Sequence, residues 1–508
     1  MAGNKNVPFF ASGGITPLNR AITNDDLFPV WTIKGLWSTV TPQQLFATLG
    51  VLSVKLFGAK GDGRTDDTAA MQRAHNTGLM IYYPAGTYLY RSITIQSGGM
   101  SGDGIGSVLQ CTDTSAADSI TFTGRGAPDW NQIPTIQNLS IFGPNSSVAM
   151  PKTSGAGIYF NPTPNNNGQQ FARICNVNFR YWPTCLRMKN TGGYLIEGCE
   201  FFFYRNHGIY AQNPDHPDVG DASILGCYFF NGGVGSTYAT YGIGIFQEDQ
   251  GGLRVVDNKF NGGRMGYMLN VLNTTSDLIV VGNSFENATE YSLRFENNVN
   301  PALPATGIRF GNIVISGNQF ARSAQEISFK PIPNYLNQSY WDVISITGNT
   351  FYYRNNSRCI EVYTARTVSI QANAIYGEST GNMGTGVYID ASVTGGVLNN
   401  AYYSITTPVV NNGIAVTNQQ AGGFIQYGTG SATTNAVQGA LFGNSAAGSV
   451  NFPTAYSSPP DVQATLSGDA FAVSVVIVAI TNVGFTFNVK GTINGSVVGF
   501  RWRAEGTV

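Results

Sequence analysis

Hydrophobic and polar positions repeat together through the middle of the chain. One or two β-branched residues are followed by Gly-Asn-x-Phe at residues 280–285, 315–320 and 346–351. Looser copies occur at residues 196–201 and 225–229. Recurrence of one phrase at a period of tens of residues is typical of a solenoid, in which each repeat forms one coil. The pattern therefore predicts a stack of short strands whose register follows the phrase.

The last residue of each phrase sets the alignment between coils. These residues recur at intervals of 22 to 38 positions, and they are Ile141, Phe179, Phe201, Phe229, Phe260, Phe285, Phe320, Phe351 and Ile375. The Asn of the later phrases is expected to point inward and to hydrogen-bond its counterpart on the next coil. This predicts an internal amide ladder of Asn258, Asn283, Asn318, Asn349 and Asn373.

Cysteine replaces this Asn in two coils, at Cys199 and Cys227. Their Cα atoms would lie roughly 5 Å apart on adjacent coils, a separation that permits a disulfide. Synthesis in a cytoplasm favours buried thiols. We expect thiols, with a disulfide as the alternative.

A second strand with alternating polarity follows each phrase. We expect Ile243 and Ile245 to point inward like Ile209 and Ala211. The residues expected to point outward are Arg187, Lys189, Tyr210, Gln212, Gly244, Phe246, Met268, Asn270, Arg294, Glu296, Ser328, Lys330, Glu361, Tyr363, Tyr388 and Asp390. Longer inserts follow this strand at 212–222, 247–252, 297–311 and 331–342. Because inserts in a solenoid collect at one edge, the sequence predicts a groove with the strands as floor and the inserts as walls.

Charge and composition exclude several kinds of partner. The 508 residues carry 28 Lys+Arg against 29 Asp+Glu, a net charge of −1. This balance predicts no nucleic-acid partner and no membrane insertion. The three His and six Cys show no metal-binding spacing, so neither a metal site nor a cofactor is expected. The start shows no signal-peptide pattern, which favours synthesis in a host cytoplasm without export through such a signal.

A dense motif precedes the coils. Residues 58–68 read Gly-Ala-Lys-Gly-Asp-Gly-Arg-Thr-Asp-Asp-Thr, and residues 83–88 read Tyr-Pro-Ala-Gly-Thr-Tyr. Between them, a helix is predicted with an apolar face of Ala70, Met71 and Ala74. The carboxylates Asp62, Asp66 and Asp67 could bind a cation, but we expect them to cap the helix and close a turn.

The motif at 57–90 resembles the first coil of pectate-lyase-like right-handed β-helices, most of all those of bacteriophage tailspikes and capsule depolymerases. The resemblance implies an all-β fold, a right-handed parallel β-helix, and a homotrimer on the virion. It also implies a host cell-surface polysaccharide as partner and attachment to a phage tail or baseplate protein through the N-terminus.

Three regions are predicted. Residues 1–50 would form a small attachment segment with a brief helix from Thr41, and residues 51–430 the β-helix. Residues 428–434 read as a linker, and 431–508 as a β-sandwich. The last region resembles the H-type lectin-like domain of phage tail proteins. That resemblance implies that Trp502 lies near a sugar site. A β-sandwich can equally form a trimerising cap, and this is the interpretation that we favour.

Glycoside hydrolysis suits this surface. It needs two carboxylates, roughly 5–5.5 Å apart for retention or about 6.5–9.5 Å for inversion. Neighbouring coils lie about 4.8 Å apart, so acids one or two coils apart fit. The first candidate pair is Glu248 or Asp249 with Glu296, and the second is Glu296 with Glu361. A salt bridge of Glu296 with Lys330 is the structural alternative. The predicted substrate-binding residues are Arg294, Lys330, Tyr210, Phe246, Tyr340, Trp341 and Tyr363.

Two other functions remain open at this stage. A polysaccharide lyase would use a base and a cation drawn from Arg294, Lys330, Tyr363, Tyr210 and His207. A non-catalytic adhesin would bind the glycan without cleaving it. A secreted pectinase is disfavoured because no signal peptide is recognised. The sequence favours a polysaccharide depolymerase, a hydrolase rather than a lyase.

Overall fold

The structure is a computed structural model of the chain. It describes residues 28–31, 37–40, 51–124, 133–145, 151–161, 169–212, 220–231, 242–248, 252–271, 277–297, 311–330, 341–353, 358–378, 384–418, 424–433, 444–452, 455, 458–466, 472–491 and 497–506. The helix predicted from Thr41 and the residues Asp249 and Tyr340 lie outside these ranges.

Short strands with frequent turn residues begin the described chain. A 3-10 helix spans Val54–Phe57 and the helix α1 spans Thr68–His75. The first strands are β1 (Phe28–Trp31), β2 (Trp37–Val40), β3 (Val51–Ser53), β4 (Asp62–Asp66), β5 (Met80–Tyr83), β6 (Gly86–Tyr90), β7 (Ile93–Ile95), β8 (Gly99–Gly102) and β9 (Ser107–Cys111). Strands β1 and β2 form an antiparallel pair.

The coils follow, and each later coil contributes three strands. Their strands are β10 (Ile120–Phe122), β11 (Thr135–Phe142), β12 (Ala156–Phe160), β13 (Gln169–Gln170), β14 (Arg173–Arg180), β15 (Thr184–Lys189), β16 (Thr191–Gly192), β17 (Leu195–Glu197), β18 (Glu200–Phe202), β19 (His207–Gln212), β20 (Ala222–Leu225), β21 (Tyr228–Phe230), β22 (Ile243–Glu248), β23 (Leu253–Val256), β24 (Lys259–Asn261), β25 (Met265–Val271), β26 (Leu278–Val281), β27 (Ser284–Glu286), β28 (Tyr291–Asn297), β29 (Ile313–Ser316), β30 (Gln319–Ala321), β31 (Gln325–Lys330), β32 (Trp341–Thr347), β33 (Thr350–Tyr353), β34 (Arg358–Val362), β35 (Ala365–Gly377), β36 (Thr385–Ile389), β37 (Gly396–Tyr403), β38 (Thr407–Asn411) and β39 (Val416–Asn418).

Every coil strand pairs in parallel with its counterpart on the next coil. One face is a 12-stranded sheet in the order β38-β36-β34-β31-β28-β25-β22-β19-β15-β12-β10-β7. The strands before and after each Gly-Asn turn form two further parallel strips, for example β26 on β29 and β27 on β30. The all-β parallel β-helix predicted from the repeat is therefore confirmed.

The C-terminal strands are antiparallel and form two three-stranded sheets, β40-β45-β42 and β41-β44-β43. They are β40 (Phe424–Thr433), β41 (Asn444–Asn451), β42 (Asp461–Leu466), β43 (Ala472–Ile480), β44 (Gly484–Gly491) and β45 (Val497–Gly506). Strand β40 occupies the segment that we predicted as a linker, so that prediction is wrong. The Gly and Thr residues that suggested a linker instead pair with β45.

The side chain of Trp502 lies inside the C-terminal region. It is 4% exposed, and its ring lies 5.6 Å from Phe485 and 5.7 Å from Phe452. Phe485 belongs to the other sheet, so the two sheets share these apolar contacts. The lectin resemblance implies a sugar site near Trp502, and in the structure the large buried indole stabilises the packing between the two sheets.

The helix α1 covers the open end of the first coils. Its apolar face buries Ala70, Met71 and Ala74, as the sequence predicts. The carboxylate of Asp66 accepts the backbone N–H of Thr68 at 3.0 Å. The helix thus buries its apolar face, while the exposed Asp66 binds the first backbone N–H of the helix.

The neighbouring acids hold the turn before α1. Asp67 accepts the backbone N–H groups of Lys60 and Gly61 at 2.7 and 2.9 Å. Asp62 accepts the N–H of Thr65 at 2.8 Å, and such hydrogen bonds lower the pKa of Asp62 to about 2. These contacts confirm the turn-and-cap role that we expected.

The aligned aromatic residues stack through the core. From Phe179 to Phe351, neighbouring rings lie 4.6 to 5.2 Å apart and within 7° of parallel. The strand pairings also match Ile141 with Phe179 and Phe351 with Ile375. The register predicted from the phrase is confirmed at every position of the alignment.

The asparagines form the predicted internal ladder. The side chain of Asn283 accepts the backbone N–H of Asn258, and the side chain of Asn318 does the same for Asn283, each at 2.9 Å. Each amide also donates to the next, as Asn318 does to Asn349 at 2.9 Å. The ladder extends one coil beyond the prediction, to Asn400, whose phrase lacks the Gly.

Cys199 and Cys227 are free, buried thiols, as expected. The thiol of Cys199 donates to the carbonyl of Ile174 at 3.4 Å, and burial raises its pKa. The backbone N–H of Cys227 donates to the side chain of Asn258 at 2.8 Å. The thiol pair therefore continues the amide ladder toward the first coils.

Replacement of one ladder asparagine tests how much the ladder stabilises the fold. In Asn318→Ala, the backbone and side-chain N–H groups of Asn283 lose their buried acceptor, and the carbonyl of Val280 loses a buried donor. We expect the free energy of unfolding to fall by at least about 2 kcal/mol, because unsatisfied buried polar groups are costly. Denaturant unfolding measures this loss. The exposed Asn312→Ala is the matched control, and an equal effect in both variants would contradict a special role for the ladder.

A carboxyl group is buried beside the 12-stranded sheet. Glu326 is 0% exposed, and it accepts hydrogen bonds from the Ser292 hydroxyl at 2.5 Å and the Ser323 N–H at 3.2 Å. Burial raises the pKa of Glu326 to about 7. Between its ordinary value and 7, the unfolded chain loses this proton and the folded chain keeps it. The contribution of Glu326 to stability is therefore complete in acid and is lost as the pH rises toward 7.

Glu326→Gln removes this pH dependence. We expect the variant to be more stable than the wild type at pH 8, by up to about 3 kcal/mol, and nearly equal to it at pH 4. Thermal unfolding at both pH values measures the difference. A constant difference across the pH range would show that packing rather than titration separates the two proteins.

Candidate functional site

The outer face of the 12-stranded sheet carries two rows of polar and aromatic side chains. The first, the Arg187 row, runs through paired positions Tyr159, Arg187, Tyr210, Phe246, Met268, Arg294, Ser328, Glu361 and Tyr388. The second, the Glu248 row, runs through Lys189, Gln212, Glu248, Asn270, Glu296 and Lys330. Because neighbouring positions lie one coil apart, a polymer along the β-helix axis would contact each row in turn.

Strand β22 pairs with β19 two residues away from the predicted register. Ile245 rather than Ile243 pairs with Ile209, and Glu248 pairs with Gln212. The error arose because the inward position after Ile245 is the polar Gln247. This side chain is 1% exposed and bonded by the buried Tyr267 hydroxyl. The correction places Glu248 in line with Glu296.

Glu248 and Glu296 flank Asn270. They occupy the strands on either side of it, so their backbones are two strand spacings, roughly 9.5 Å, apart. The Asn270 amide donates to Glu248 at 3.3 Å, and the Tyr210 hydroxyl donates to the other oxygen at 2.5 Å. The first candidate pair is thus brought together on one half-buried row.

A guanidinium group accompanies the second carboxylate. Arg294 forms an ion pair with Glu296, and its guanidinium carbon lies 4.8 Å from the centre of the Tyr291 ring. Both charged side chains are only about one-fifth exposed, at 22% and 19%. The guanidinium and the carboxylate thus lie side by side on the outer face of β28.

Aromatic rings and one cation form a platform at one end of the pair. The guanidinium of Arg187 lies 4.6 Å from the Tyr159 ring and 5.5 Å from the Tyr210 ring. Phe246 packs 5.2 Å from both Tyr210 and His207. Burial and the Arg187 charge lower the pKa of His207 to about 3, so the imidazole is neutral at pH 7.

Glu361 is enclosed at the other end of the sheet. It is 3% exposed, with the Lys330 ammonium at 3.0 Å, the Arg358 guanidinium at 3.7 Å and the Ser328 hydroxyl at 2.6 Å. It also lies in the Arg187 row, whereas Glu296 lies in the Glu248 row. The structure therefore does not bring Glu296 and Glu361 together as a pair, because two cations bind and cover Glu361.

The cations around Glu361 face aromatic rings. Arg358 donates to the Tyr363 hydroxyl at 2.7 Å and lies 3.4 Å from the centre of the Tyr388 ring. Lys330 lies 5.4 Å from the Tyr363 ring. Tyr363 and Lys330 therefore lie on the outer face, as the alternation of the strand predicts. The same alternation also placed Arg187 and Tyr388 there, although neither was among the predicted substrate-binding residues.

Trp341 was predicted wrongly as a substrate-binding residue. Its side chain is 1% exposed and packs edge-on against Phe295 and Phe329, at 6.0 and 5.8 Å between ring centres. It begins β32 and turns inward, where its apolar area is removed from water. The remaining wall residues lie largely outside the described parts of the chain.

Two negative findings concern the described residues. No helix there is long and apolar enough to cross a membrane. Within the same residues, no three or more His, Cys, Asp or Glu side chains form a group that could hold a metal ion.

A core substitution tests the assignment of Trp341. Trp341→Ala should lower the free energy of unfolding by about 3–5 kcal/mol, the usual cost of deleting a large buried aromatic side chain. Tyr352→Ala removes a ring that is 47% exposed and should cost clearly less. Denaturant titration compares the two variants. If the free energy of unfolding of Trp341→Ala equals that of the wild type, the buried position of this side chain is contradicted.

Two family models match the chain. The rhamnogalacturonase A/epimerase, pectate-lyase-like model matches residues 51–181, and the right-handed β-helix region model matches residues 156–329. The second match includes the strands of Glu248 and Glu296. No curated protein matches the sequence.

Several solved structures resemble the chain at low identity. DFA-IIIase from Arthrobacter chlorophenolicus A6 without its lid, in complex with GF2, has a TM-score of 0.53 and 14% identity, covering 72% of this chain and 98% of its own. PfbA, a surface adhesin of Streptococcus pneumoniae, has a TM-score of 0.52 and 16% identity, covering 74% and 92%. A mutant tailspike protein of E. coli bacteriophage HK620 has a TM-score of 0.51 and 12% identity, covering 96% and 98%.

These similarities concern the fold, since identities of this size do not carry an activity from one protein to another. The parallel coils, the two family models and the solved structures agree. The chain is a right-handed parallel β-helix protein.

Proposed function

We propose that the protein is a phage tailspike that binds and hydrolyses a host cell-surface polysaccharide. The observation that carries this proposal is the row Glu248–Asn270–Glu296, which lies beside the Arg187 platform. Two carboxylates and flat aromatic rings along one axis suit cleavage of a polar polymer. The tailspike similarity over 96% of this chain adds support from its fold.

The spacing of the two carboxylates supports inversion at the cleaved bond. The backbones of Glu248 and Glu296 are roughly two strand spacings apart, and side chains that extend in parallel from them would hold the carboxyl groups near the upper end of the range of about 6.5–9.5 Å for inverting enzymes. This separation leaves room for a water molecule beside the sugar. A retaining enzyme would need closer carboxyl groups.

The contacts suggest a role for each acid. Glu296, beside the Arg294 charge, would accept a proton from the attacking water as its oxygen bonds to the anomeric carbon. Glu248, held by the neutral donors Tyr210 and Asn270, would give its proton to the leaving glycosidic oxygen as that C–O bond breaks. Exchange with solvent restores both groups. Asn270 positions Glu248 and separates it from Glu296.

The platform would bind the sugar units next to the cleaved bond. Tyr210 and Phe246 offer ring faces, while Arg187 and Lys330 offer N–H donors at the two ends of the pair. Tyr363 extends this surface at the Lys330 end. Such mixed aromatic and polar contacts suit sugar rings, which have both apolar faces and hydroxyl groups.

Lyase chemistry is the second candidate function. The observation in its favour is the neutral His207 stacked on Phe246, with Arg187 close to the same rings. Arg187 could neutralise a uronate carboxylate, and the neutral imidazole could accept the adjacent proton, but a pKa of about 3 makes His207 a weak base. Hydrolysis stays the first candidate because Glu248 and Glu296 are aligned across the sheet.

The remaining assignments concern the assembly. We propose a homotrimer attached to the virion through residues 1–50, with the C-terminal strands β40–β45 as a trimerising cap. The burial of Trp502 supports a cap rather than a lectin-type sugar site.

Substitution of either carboxylate tests the mechanism. In Glu248→Gln and in Glu296→Gln, kcat should fall by roughly 10²–10⁴-fold, the usual contribution of a positioned acid or base. The assay counts new reducing ends released from capsule or O-antigen of susceptible hosts. The exposed Glu197→Gln is the matched control and should keep full activity.

The outcomes separate the candidate functions. Reducing ends without unsaturated-uronate absorbance, with an inverted first anomer by NMR, support the proposal. Reducing ends with that absorbance identify a lyase. Binding without reducing ends identifies an adhesin, and unchanged turnover in both Gln variants removes the two carboxylates from the mechanism.

A further inference from the structure

A cleft opens on a face of the β-helix adjacent to the 12-stranded sheet. It lies on the strip formed by β27, β30, β33 and β35, just before the chain turns into the 12-stranded sheet. The cleft has a volume of about 340 Å³ and is lined by Glu286, Asn287, Arg322, Tyr352, Tyr376 and Glu378, among others. This volume lies within the range of small-ligand sites in proteins, about 300–1,000 Å³.

A small residue creates the cleft. The strand pairings align Glu286, Ala321, Tyr352 and Tyr376 on four successive coils. Because Ala321 has only a methyl group, it leaves a gap between the Glu286 side chain and the Tyr352 ring. Four coils span about 14 Å along the axis, enough for more than one sugar unit.

One wall is a stack of tyrosine rings. Tyr352 is 47% exposed and stacks on Tyr376 at 5.3 Å between ring centres. Tyr376 in turn stacks on Tyr403 at 4.4 Å and within 7° of parallel. The rings behind Tyr352 support its orientation, so it presents a fixed flat face at little further cost in side-chain entropy.

The cleft also carries charged side chains, and each of its carboxylates is ion-paired. The Arg322 guanidinium lies 3.7 Å from the Glu378 carboxylate within the lining, and the Lys259 ammonium, outside the lining, lies 3.7 Å from the Glu286 carboxylate. Both carboxylates of the cleft therefore already have a cation beside them. A ligand with a fixed charge would compete with these ion pairs, whereas a neutral sugar can hydrogen-bond to them without such competition.

From this geometry we propose that the cleft is a second saccharide-binding site, specific for neutral sugar units and separate from the Glu248–Glu296 pair. The Tyr352 face stacks on a sugar ring, the Glu378 and Glu286 carboxylates accept hydroxyl protons, and Arg322 donates to sugar oxygens. The site holds the polymer while cleavage takes place on the neighbouring face, so its benefit to turnover rests on the proposed function.

Direct binding tests the site without relying on cleavage. Calorimetry would measure maltohexaose, cellohexaose and mannohexaose as neutral probes, and hexagalacturonate as an anionic probe. We expect at least one neutral probe to bind the full-length wild type, and Tyr352→Ala to weaken it by roughly tenfold or more. Tyr82→Ala, on the first coils, is the matched control and should bind as the wild type does.

Turnover of the host polysaccharide provides a second readout. In Tyr352→Ala, KM for the long polymer should rise by roughly tenfold while kcat stays the same, since the carboxylate pair is untouched. Arg322→Gln and Glu378→Gln should give the same split. These two variants keep the test decisive if loss of the Tyr352 ring prevents folding.

Failure of this site and failure of the proposed function have different signatures. A neutral probe that binds through Tyr352 in a protein without cleavage supports the site and overturns the hydrolase. Normal cleavage with no neutral probe bound, and with KM unchanged in all three variants, overturns the site alone. Stronger binding of hexagalacturonate than of the neutral probes would overturn the predicted specificity.

Discussion

The amide ladder fixes the distance between successive coils from Asn258 to Asn400, and that distance positions the side chains on the faces of these coils. Each ladder asparagine bonds the backbone and the side chain of its neighbour, so one coil cannot slide along the next without leaving buried polar groups unsatisfied. The stacked phenylalanines add apolar contact at the same spacing. Register is strongly specified as a result, since a slip of one residue would turn the apolar face of a strand outward.

The fixed spacing between strands sets the distances between the candidate catalytic residues. Backbone positions in the Glu248 row are separated by multiples of about 4.8 Å. Glu248 and Glu296 lie two units apart, with Asn270 between them, which leaves room for a water molecule and a sugar. Glu361 is also on the outer face, but its row and its cations bind it into a structural cluster. The candidate catalytic acids Glu248 and Glu296 therefore differ from the structural acid Glu361 in their position along the axis, in their row and in their ion pairs.

The sequence was most informative where periodicity reports burial directly. The phrase placed Phe285 and Asn283 correctly, because both are repeated core positions. The alternation of the second strand was less reliable. It gave the wrong pairing for β22, where the buried polar residue Gln247 interrupts the apolar positions. It also failed at Trp341, since an aromatic residue at the end of an insert reads equally well as surface or core.

The candidate site was only partly predictable for the same reason. Alternation placed Glu296, Arg294 and Tyr210 on the outer face, but it carries no information about partners such as the cations around Glu361. The cleft beside Tyr352 depends on the small size of Ala321 and on residues from four coils. No local pattern in the chain marks such a gap.

The ladder also has a consequence for the lifetime of the protein outside a cell. A protease must bind an extended stretch of chain, so a coil would first have to detach from both neighbours. Because each ladder asparagine is bonded to the coil before and the coil after it, detachment exposes unpaired amides on three coils at once. Local opening within the stack is therefore costly, and digestion is expected to begin in the turns between strands, while the stacked strands remain intact.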